Sequence, residues 1–215
     1  EPDAAHVIAI ERDQRFMAPL AELESAYPGR LTVVQRDALE VDIADLVRGV
    51  GVANATGPLR IKLVANLPYN VATPLLISWF RRIEVVSEFV LMFQKEVAER
   101  LAAKPRTKEY GRLSILAQWR CRVERLFDVP PQAFVPPPRV TSTVMRLTPL
   151  PAAAAPAVME DLETVTAAAF GQRRKMLRAA LRTLTPAPEN MLAAADVTPT
   201  MRAEELSVDQ FCALA

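Results

Sequence analysis

The chain has 215 residues, a length that suits one domain of moderate size or a main domain with a small appendage. Hydrophobic residues make up 51% of it, which is ample for a packed core, and no stretch approaches the roughly 20 apolar residues that cross a bilayer. The single histidine, His6, argues against Ser-His-Asp catalysis, and the isolated Cys121 and Cys212 have no metal-ligand spacing. We therefore expect a globular protein without a metal site or membrane contact, located in the reducing cytoplasm.

The net charge of +1 hides an uneven distribution of charged residues. The first 45 residues hold ten acids and four arginines, whereas residues 104–125 hold seven basic residues and two acids. Residues 170–185 hold five basic residues and no acid. A basic segment alone is often only a solvated surface, but these segments together fit a polyanionic partner.

Short apolar runs alternate with helical patterns over the first 150 residues. Strands are predicted at residues 6–11, 31–34, 61–65, 89–93, 121–129 and 143–147. Helices are predicted at residues 16–27, 73–80, 95–103 and 111–117. This alternation predicts a mostly parallel sheet covered on both faces, and such sheets bind ligands beyond the carboxyl ends of their strands.

The proline- and alanine-rich residues 149–156 are typical of a linker. Helices alone are predicted after it, at residues 159–170, 172–184, 188–194 and 208–214. We therefore expect a main domain at residues 1–150 and a small helical domain at residues 151–215.

The pentapeptide Asn-Leu-Pro-Tyr-Asn at residues 66–70 directly follows the predicted strand 61–65. An Asn-x-Pro-aromatic sequence there places an amide, a backbone carbonyl and a flat ring at one sheet edge. The amide and the carbonyl can bind the exocyclic amine of a nucleobase, and the ring can stack on the base. A proline is also an ordinary way to end a strand, so the motif alone leaves both interpretations open. In its context it indicates an enzyme that acts on an adenine nitrogen in nucleic acid.

Two acids follow the earlier predicted strands, Glu11 after the first and Asp37 after the second. An acid at such a position in a nucleotide-binding sheet typically binds ribose hydroxyls. A carboxylate can also accept a hydrogen bond from the exocyclic amine of a base. Taken alone, Glu11 is more often an ordinary strand-end carboxylate, and Asp37 alone is a helix-cap or turn residue.

Seven segments resemble, in order, those of the ribosomal RNA adenine N6-dimethyltransferase family, most closely its bacterial KsgA/RsmA branch. They lie at residues 7–13, 35–39, 66–76, 92–101, 110–114, 134–142 and 170–178. Each segment is weakly specific, but seven in the same order are strongly so. The resemblance extends to about residue 185, and the remaining tail carries no motif.

The resemblance implies an α/β fold, a Rossmann-like S-adenosylmethionine methyltransferase sheet with a small all-helical C-terminal domain. It implies that S-adenosylmethionine, the methyl donor, is bound by Glu11 at its ribose and by Asp37 and Ala38 at its adenine. Asn66 would border both this cofactor and the target. The implied substrate is a pair of neighbouring adenines near the 3′ end of small-subunit (16S) ribosomal RNA, each methylated twice, in the RNA or a 30S precursor.

The target base, by the same resemblance, lies between the rings of Tyr69 and Phe134. Its N6 amine would contact the Asn66 side chain and the Pro68 carbonyl. RNA contacts are expected at the basic residues Arg112, Arg173, Arg174, Lys175, Arg178 and Arg182. If residues 172–184 form a regular helix, the three arginines spaced four apart line one face and contact phosphates. We expect a monomer.

Members of this family begin with an earlier strand and a glycine-rich turn that approaches the cofactor. Nothing here matches that turn, because the chain has only six glycines and Gly49-x-Gly51 comes too late in the order. By analogy, the absent strand lies between those that end at Glu11 and Asn66. We therefore expect the sequence to lack an N-terminal segment of the protein, and this fragment to bind cofactor poorly.

Three other functions remain open. One is a large-subunit RNA methyltransferase that confers antibiotic resistance. Such enzymes usually have Ile at the second position of the Asn-x-Pro motif and lack a proline run. Leu67 and the prolines at 136–138 therefore count against this function. Another is a DNA adenine methyltransferase, which does not explain the later basic segments. The third is a non-catalytic RNA-binding or ribosome-assembly factor, which stays open because the glycine turn is absent.

Overall fold

The computed structural model describes residues 6–49 and 60–215. Their contacts divide the chain into two compact units. Unit 1 comprises Glu1–Arg60 and Asn70–Val85, and unit 2 comprises Ile61–Tyr69 and Val86–Ala215. The domain boundary between residues 150 and 151 stays a prediction from the sequence.

Unit 1 is built on two parallel strands, β1 (Val7–Glu11) and β2 (Leu31–Gln35). Helix α1 (Met17–Ala26) connects them, and the chain then returns through Gly29, whose φ of 71° lies in the left-handed region that glycine adopts without strain. Glu11 stands opposite Gln35 in the register, so both strands end at the same edge. The predicted strand–helix–strand order is confirmed.

Two more helices belong to unit 1, α2 (Ile43–Gly49) and α3 (Ala72–Phe80). Helix α3 was predicted, with Pro74 in its first turn. Helix α2 was not, because its start depends on one capping residue rather than on a clear apolar period. Its start is fixed by the Asp42 carboxylate, which accepts from the Ala44 and Asp45 amides at 2.9 and 3.1 Å. Gly49 ends this helix, and Gly51 lies outside the described residues.

Unit 2 contains a four-stranded sheet in the order β3-β4-β6-β5. Its strands are β3 (Ile61–Asn66), β4 (Val86–Gln94), β5 (Cys121–Val129) and β6 (Ser142–Pro149). Strands β3 and β4 are parallel, but β6 is antiparallel to both of its neighbours. The expectation of a mostly parallel sheet therefore fails at β6, because a loop without a crossover α-helix joins it to β5.

The strand directions bring four chain positions to one edge of this sheet. Since β4 is parallel to β3 and antiparallel to β6, and β6 is antiparallel to β5, the ends of β3, β4 and β5 lie beside the start of β6. In the register, Ser142 pairs with both Gln94 and Val129. We call this edge, defined by Asn66, Gln94, Val129 and Ser142, the Ser142 edge.

The core of unit 2 lies between this sheet and its helices α4 (Lys95–Ala102) and α5 (Arg112–Arg120). Alternate residues of β4 point inward, and Phe89, Leu91 and Phe93 are fully buried. The predicted linker is fixed to α5, because the Trp119 indole donates to the Ala155 carbonyl at 2.8 Å.

Residues 151–215 form helices α6 (Met159–Gly171), α7 (Leu177–Ala180), α8 (Pro188–Ala194) and α9 (Val208–Leu214). They pack against the preceding part of unit 2. The Tyr110 hydroxyl donates to the Leu206 carbonyl at 2.9 Å, and the Phe170 ring contacts the rings of Tyr110 and Phe211.

The prediction of one regular helix over residues 172–184 is wrong. Helix α7 begins only at Leu177, and a 3-10 turn follows at Leu181–Thr183. The reason is tertiary: Met176 is extended and forms a β-bridge with Arg202, and the Leu177 amide donates to the Met201 carbonyl at 2.8 Å. Arg174, Arg178 and Arg182 therefore do not line one face of a continuous helix.

Strands β1 and β3 belong to different sheets, so direct pairing of these two strands is not observed among the described strands. The strand expected between them from the family resemblance stays a prediction. Within residues 6–49 and 60–215, no helix is long and apolar enough to span a membrane.

Candidate active site

The first candidate surface is the carboxyl edge of the two-stranded sheet in unit 1. Glu11 is the last residue of β1, and Asp37 follows β2 by two residues. The Arg12 guanidinium donates to Asp37 Oδ2 at 2.8 Å, which links the two strand ends. The structure thus brings the two predicted acids to the same edge.

The local hydrogen bonds of these acids leave acceptor sites free. Glu11 is half-buried, and its Oε1 accepts from the Asp13 amide at 2.7 Å. Asp37 Oδ1 accepts from the Leu39 amide at 3.0 Å, and this bond together with Arg12 holds the pKa of Asp37 below its usual range. Each carboxylate oxygen has a second lone pair. Such ionised acceptors fit the hydroxyls and amine of a nucleoside, so the chemistry of this edge suits the implied donor.

The second candidate surface is the Ser142 edge of unit 2, where the Asn-Leu-Pro-Tyr segment lies. Asn66 is the last residue of β3, pairs with Met92, and has an exposed side chain. Leu67 is only 5% exposed, whereas Pro68 is exposed. The buried leucine therefore anchors the turn, which leaves the Asn66 side chain and Pro68 on the surface.

Tyr69 is held at this edge by a residue that the sequence did not single out. Its hydroxyl oxygen lies 2.8 Å from Ser142 Oγ, and either oxygen can be the donor. Ser142 is fully buried at the start of β6. The signal was present, since Ser142 is the last residue of the family-like segment 134–142, but the sequence does not show which partner it binds.

Phe134 lies in the loop that leaves the same edge after β5. It follows the 3-10 turn Pro131–Ala133, five residues after Val129 ends β5, and its amide donates to the Pro131 carbonyl at 3.1 Å. The ring is half-buried. Because Val129 pairs with Ser142, the chain segments that contain Phe134 and Tyr69 both leave the sheet at this edge.

An ion-pair cluster supports the start of β6 beside Ser142. The Thr143 hydroxyl donates to Asp128 Oδ1 at 2.7 Å, Arg125 binds the same carboxylate, and Lys95 Nζ lies 3.9 Å from it. The Thr143 hydrogen bond, and then the two cations, hold the pKa of Asp128 below its usual range. Among the residues that the structure describes, no three His, Cys, Asp or Glu side chains gather as metal ligands.

The predicted RNA-contacting residues differ in their surroundings. Five are exposed: Arg112, Arg174, Lys175, Arg178 and Arg182. Arg173 is half-buried and bound within the protein, because its Nε donates to Glu204 Oε2 at 2.7 Å and its Nη2 to the Thr107 carbonyl at 3.1 Å.

The fold is that of an α/β methyltransferase. The structure resembles that of a dimethyladenosine transferase from Plasmodium falciparum, with a TM-score of 0.73, 22% identity, and coverage of 97% of this chain and 80% of the other. It also resembles the 23S rRNA methyltransferase ErmE, with a TM-score of 0.64, 23% identity and the same coverage. At these identities the two likenesses show the fold alone.

A model of the ribosomal RNA adenine dimethylase family matches residues 3–215. A ribosomal RNA small subunit methyltransferase A from Rhodospirillum rubrum is 56% identical over 212 residues, covering 99% of this chain and 70% of the relative. The protein of the same name from Paramagnetospirillum magneticum is 53% identical, covering 99% and 72%. The chain therefore belongs to the ribosomal RNA adenine dimethylase family, as its seven motifs predicted, and this is a family of methyltransferases.

Proposed function

We propose that the chain transfers methyl groups from S-adenosylmethionine to N6 of two adjacent adenines near the 3′ end of small-subunit ribosomal RNA. Each adenine receives two methyl groups. Family membership and the names of the two relatives support this substrate. The observation that carries the proposal is the placement of Asn66, Tyr69 and the Phe134 loop along the Ser142 edge.

The carboxyl edge of unit 1 binds the methyl donor. Glu11 accepts hydrogen bonds from the ribose hydroxyls through the carboxylate sites that Asp13 leaves free. Asp37, with Ala38 beside it, receives the adenine ring of the donor and accepts from its amine. The bound donor supplies a methyl group activated by a positively charged sulfur.

The Ser142 edge binds the target adenine. Tyr69 and Phe134 stack on opposite faces of the base, and such stacking contributes about 1–3 kcal/mol per base. This free energy offsets part of the cost of moving the base out of its own stack. The hydrogen bond between the Ser142 and Tyr69 hydroxyls fixes the Tyr69 ring before the base arrives.

Asn66 and Pro68 make the amine reactive. The lone pair of N6 is delocalised into the adenine ring, which makes this nitrogen a poor nucleophile. The Asn66 side-chain oxygen and the Pro68 carbonyl accept hydrogen bonds from its two N–H groups and favour a pyramidal nitrogen whose lone pair points out of the ring plane. The bond from the methyl group to sulfur would break as the bond to N6 forms, and the positively charged nitrogen would then release its proton to water. Alignment and preorganised dipoles therefore supply the rate gain without a strong base.

A second transfer to the same nitrogen follows from this arrangement. A monomethylated amine keeps one hydrogen for one acceptor, so the base can bind again. The RNA itself, or a partly assembled small subunit, is the partner, and exposed cations such as Arg112 and Arg174 contact its phosphates. We expect the protein to act as a monomer in the cytoplasm, where this substrate is made.

The test is methyl transfer by the full-length protein to unmethylated small subunits, with labelled S-adenosylmethionine. We expect label in small-subunit RNA, and none in large subunits or DNA under the same conditions. An Asn66→Ala variant serves as the control for label carried over by a contaminant. Absence of label, or label only in large-subunit RNA or DNA, would overturn the proposal.

A further inference from the structure

The loop at residues 103–110 carries three cations that the proposed function does not use: Lys104, Arg106 and Lys108. All three side chains are exposed. Within residues 6–49 and 60–215, none of these side chains has a hydrogen-bond or ion-pair partner. Unpaired cations clustered on a surface are the usual electrostatic mark of a polyanion site.

The backbone of this loop is held firmly although its cations are free. At its start, Gln118 Nε2 donates to the Ala103 carbonyl at 2.8 Å. In its middle, the Thr107 hydroxyl donates to the Lys104 carbonyl at 2.7 Å. At its end, the buried Tyr110 donates to Leu206. The cations are therefore presented on a preorganised frame.

Arg106 has a backbone conformation that needs such support. Its φ is 71°, in the left-handed region that side chains other than glycine rarely adopt. Its amide donates to the Glu204 carbonyl at 2.7 Å, which holds it there. Conformations of this kind persist only where the surroundings impose them, and they cluster at functional sites.

A clasp joins this loop to the second basic segment. The Arg173 guanidinium donates to the Thr107 carbonyl at 3.1 Å and to Glu204 Oε2 at 2.7 Å. Arg173 is followed directly by Arg174 and Lys175, whose side chains are exposed and have no partner in the described parts of the chain. One side chain therefore ties the loop to the segment that carries two more free cations.

We propose that the two segments form one continuous surface that binds the phosphates of the RNA substrate, with Arg173 as a positioning residue. We call it the basic surface, and its members are Lys104, Arg106, Lys108, Arg174 and Lys175. This inference rests on the proposed RNA substrate. Two neighbouring acids are occupied, because Glu204 binds Arg173 and Glu205 accepts from the Arg202 amide, whereas Glu109 is half-buried.

Binding through phosphates predicts a particular salt dependence. The slope of log K against log salt is negative, and removal of one cation that binds a phosphate makes it shallower by about 1. The triple change Lys104→Gln, Arg106→Gln and Lys108→Gln therefore makes it shallower by up to about 3. Binding should weaken by the same factor for unmethylated small-subunit RNA and for an unrelated RNA duplex, since phosphates carry no sequence information.

The matched control removes the same charge elsewhere. Arg48, Arg100 and Arg122 are exposed and already paired with acids, so their triple change to Gln should leave the slope nearly unaltered. Thermal unfolding of both triple variants verifies that they are folded. The proposal would be overturned if the Lys104, Arg106 and Lys108 variant had the same salt slope as the unchanged protein. It would also be overturned if both triple variants changed the slope equally.

The clasp is tested by Glu204→Gln. If charge alone matters, removal of an acid beside the basic surface strengthens RNA binding. The clasp predicts weaker binding and faster hydrogen exchange of the Arg106 and Thr107 amides. Methyl transfer by the unchanged protein to small subunits separates the two proposals. If the unchanged protein transfers methyl groups but the salt slope of the triple variant is unaltered, the basic surface alone is contradicted. If the slope of the triple variant is shallower but the unchanged protein transfers no methyl group, the proposed function alone is contradicted.

Discussion

The hydroxyl oxygens of Tyr69 and Ser142 lie 2.8 Å apart, within unit 2 and 73 positions apart in the sequence. This bond joins the Asn-Leu-Pro-Tyr turn to the end of the segment 134–142, which also contains Phe134. The two segments that we propose to hold the target base are thus fixed to each other at the Ser142 edge.

Ser142→Ala should lower kcat/KM for methyl transfer about 2- to 10-fold, because a hydrogen bond contributes about 0.5–1.5 kcal/mol net. RNA affinity should not change. In a double-mutant cycle with Tyr69→Phe, the combined loss should be close to that of one change, since both remove the same bond. Fully additive losses would show that the bond has no part in positioning the ring.

Asn66→Ala should lower kcat by about 100- to 1,000-fold, the range seen when one preorganised polar group is removed from a transition state. The side chain is exposed, so the fold should be retained, and RNA affinity measured by filter binding should persist. Asn70→Ala is the matched control, because Asn70 is an exposed asparagine of the same motif. Equal losses in both variants would remove Asn66 from the mechanism.

Phe134→Ala should weaken productive binding of the target base by about 1–3 kcal/mol, which appears in kcat/KM for small-subunit RNA. Phe127→Ala is the control, because Phe127 lies on β5 with its side chain 57% exposed. If Phe127→Ala loses as much activity as Phe134→Ala, the loss follows from removing any exposed aromatic side chain. Phe134 would then have no specific role in stacking on the target base.

Glu11→Gln should weaken binding of S-adenosylmethionine to the full-length protein about 10- to 100-fold, since hydrogen bonds to a charged group contribute about 1.5–3 kcal/mol. Titration calorimetry measures this directly. Glu22→Gln, an exposed change on α1, should leave the affinity unaltered. An unaltered affinity in Glu11→Gln would place the donor elsewhere.

Cys121 makes stability fall at alkaline pH. Burial raises the pKa of its thiol from 9.0 to about 12, so the folded state keeps the proton that the unfolded state loses. The contribution of the protonated thiol to the free energy of unfolding is complete below pH 9. It is lost as the pH rises towards 12, by at most about 1.4 kcal/mol per pH unit. Denaturant unfolding at pH 8, 10 and 11 should show a smaller decline for Cys121→Ala; identical declines would contradict this.

Local pattern was enough to predict much of the fold. Strand β5 and helices α8 and α9 begin and end at the predicted residues, because their apolar periods and flanking breakers are clear. Asn66 and Pro68 were predicted as site residues because a contiguous motif carries them, and these roles stay predictions. Helix α2 was missed because its start depends on one capping residue, Asp42.

Contacts between distant parts of the sequence could not be predicted. Nothing in the sequence around Arg173 shows that its guanidinium binds Glu204 and Thr107, 31 and 66 positions away. The same limit explains the wrong helix over residues 172–184, where a bridge from Met176 to Arg202 outweighs local helical propensity. The direction of β6 also depends on pairing rather than on its own residues.

The most direct test of the base-binding account is a structure of the full-length protein with an RNA that contains the target adenines. We expect N6 to lie within about 2.7–3.2 Å of both the Asn66 side-chain oxygen and the Pro68 carbonyl. We also expect the rings of Tyr69 and Phe134 to lie on opposite faces of that base. An adenine bound away from the Ser142 edge, or in contact with neither ring, would contradict it.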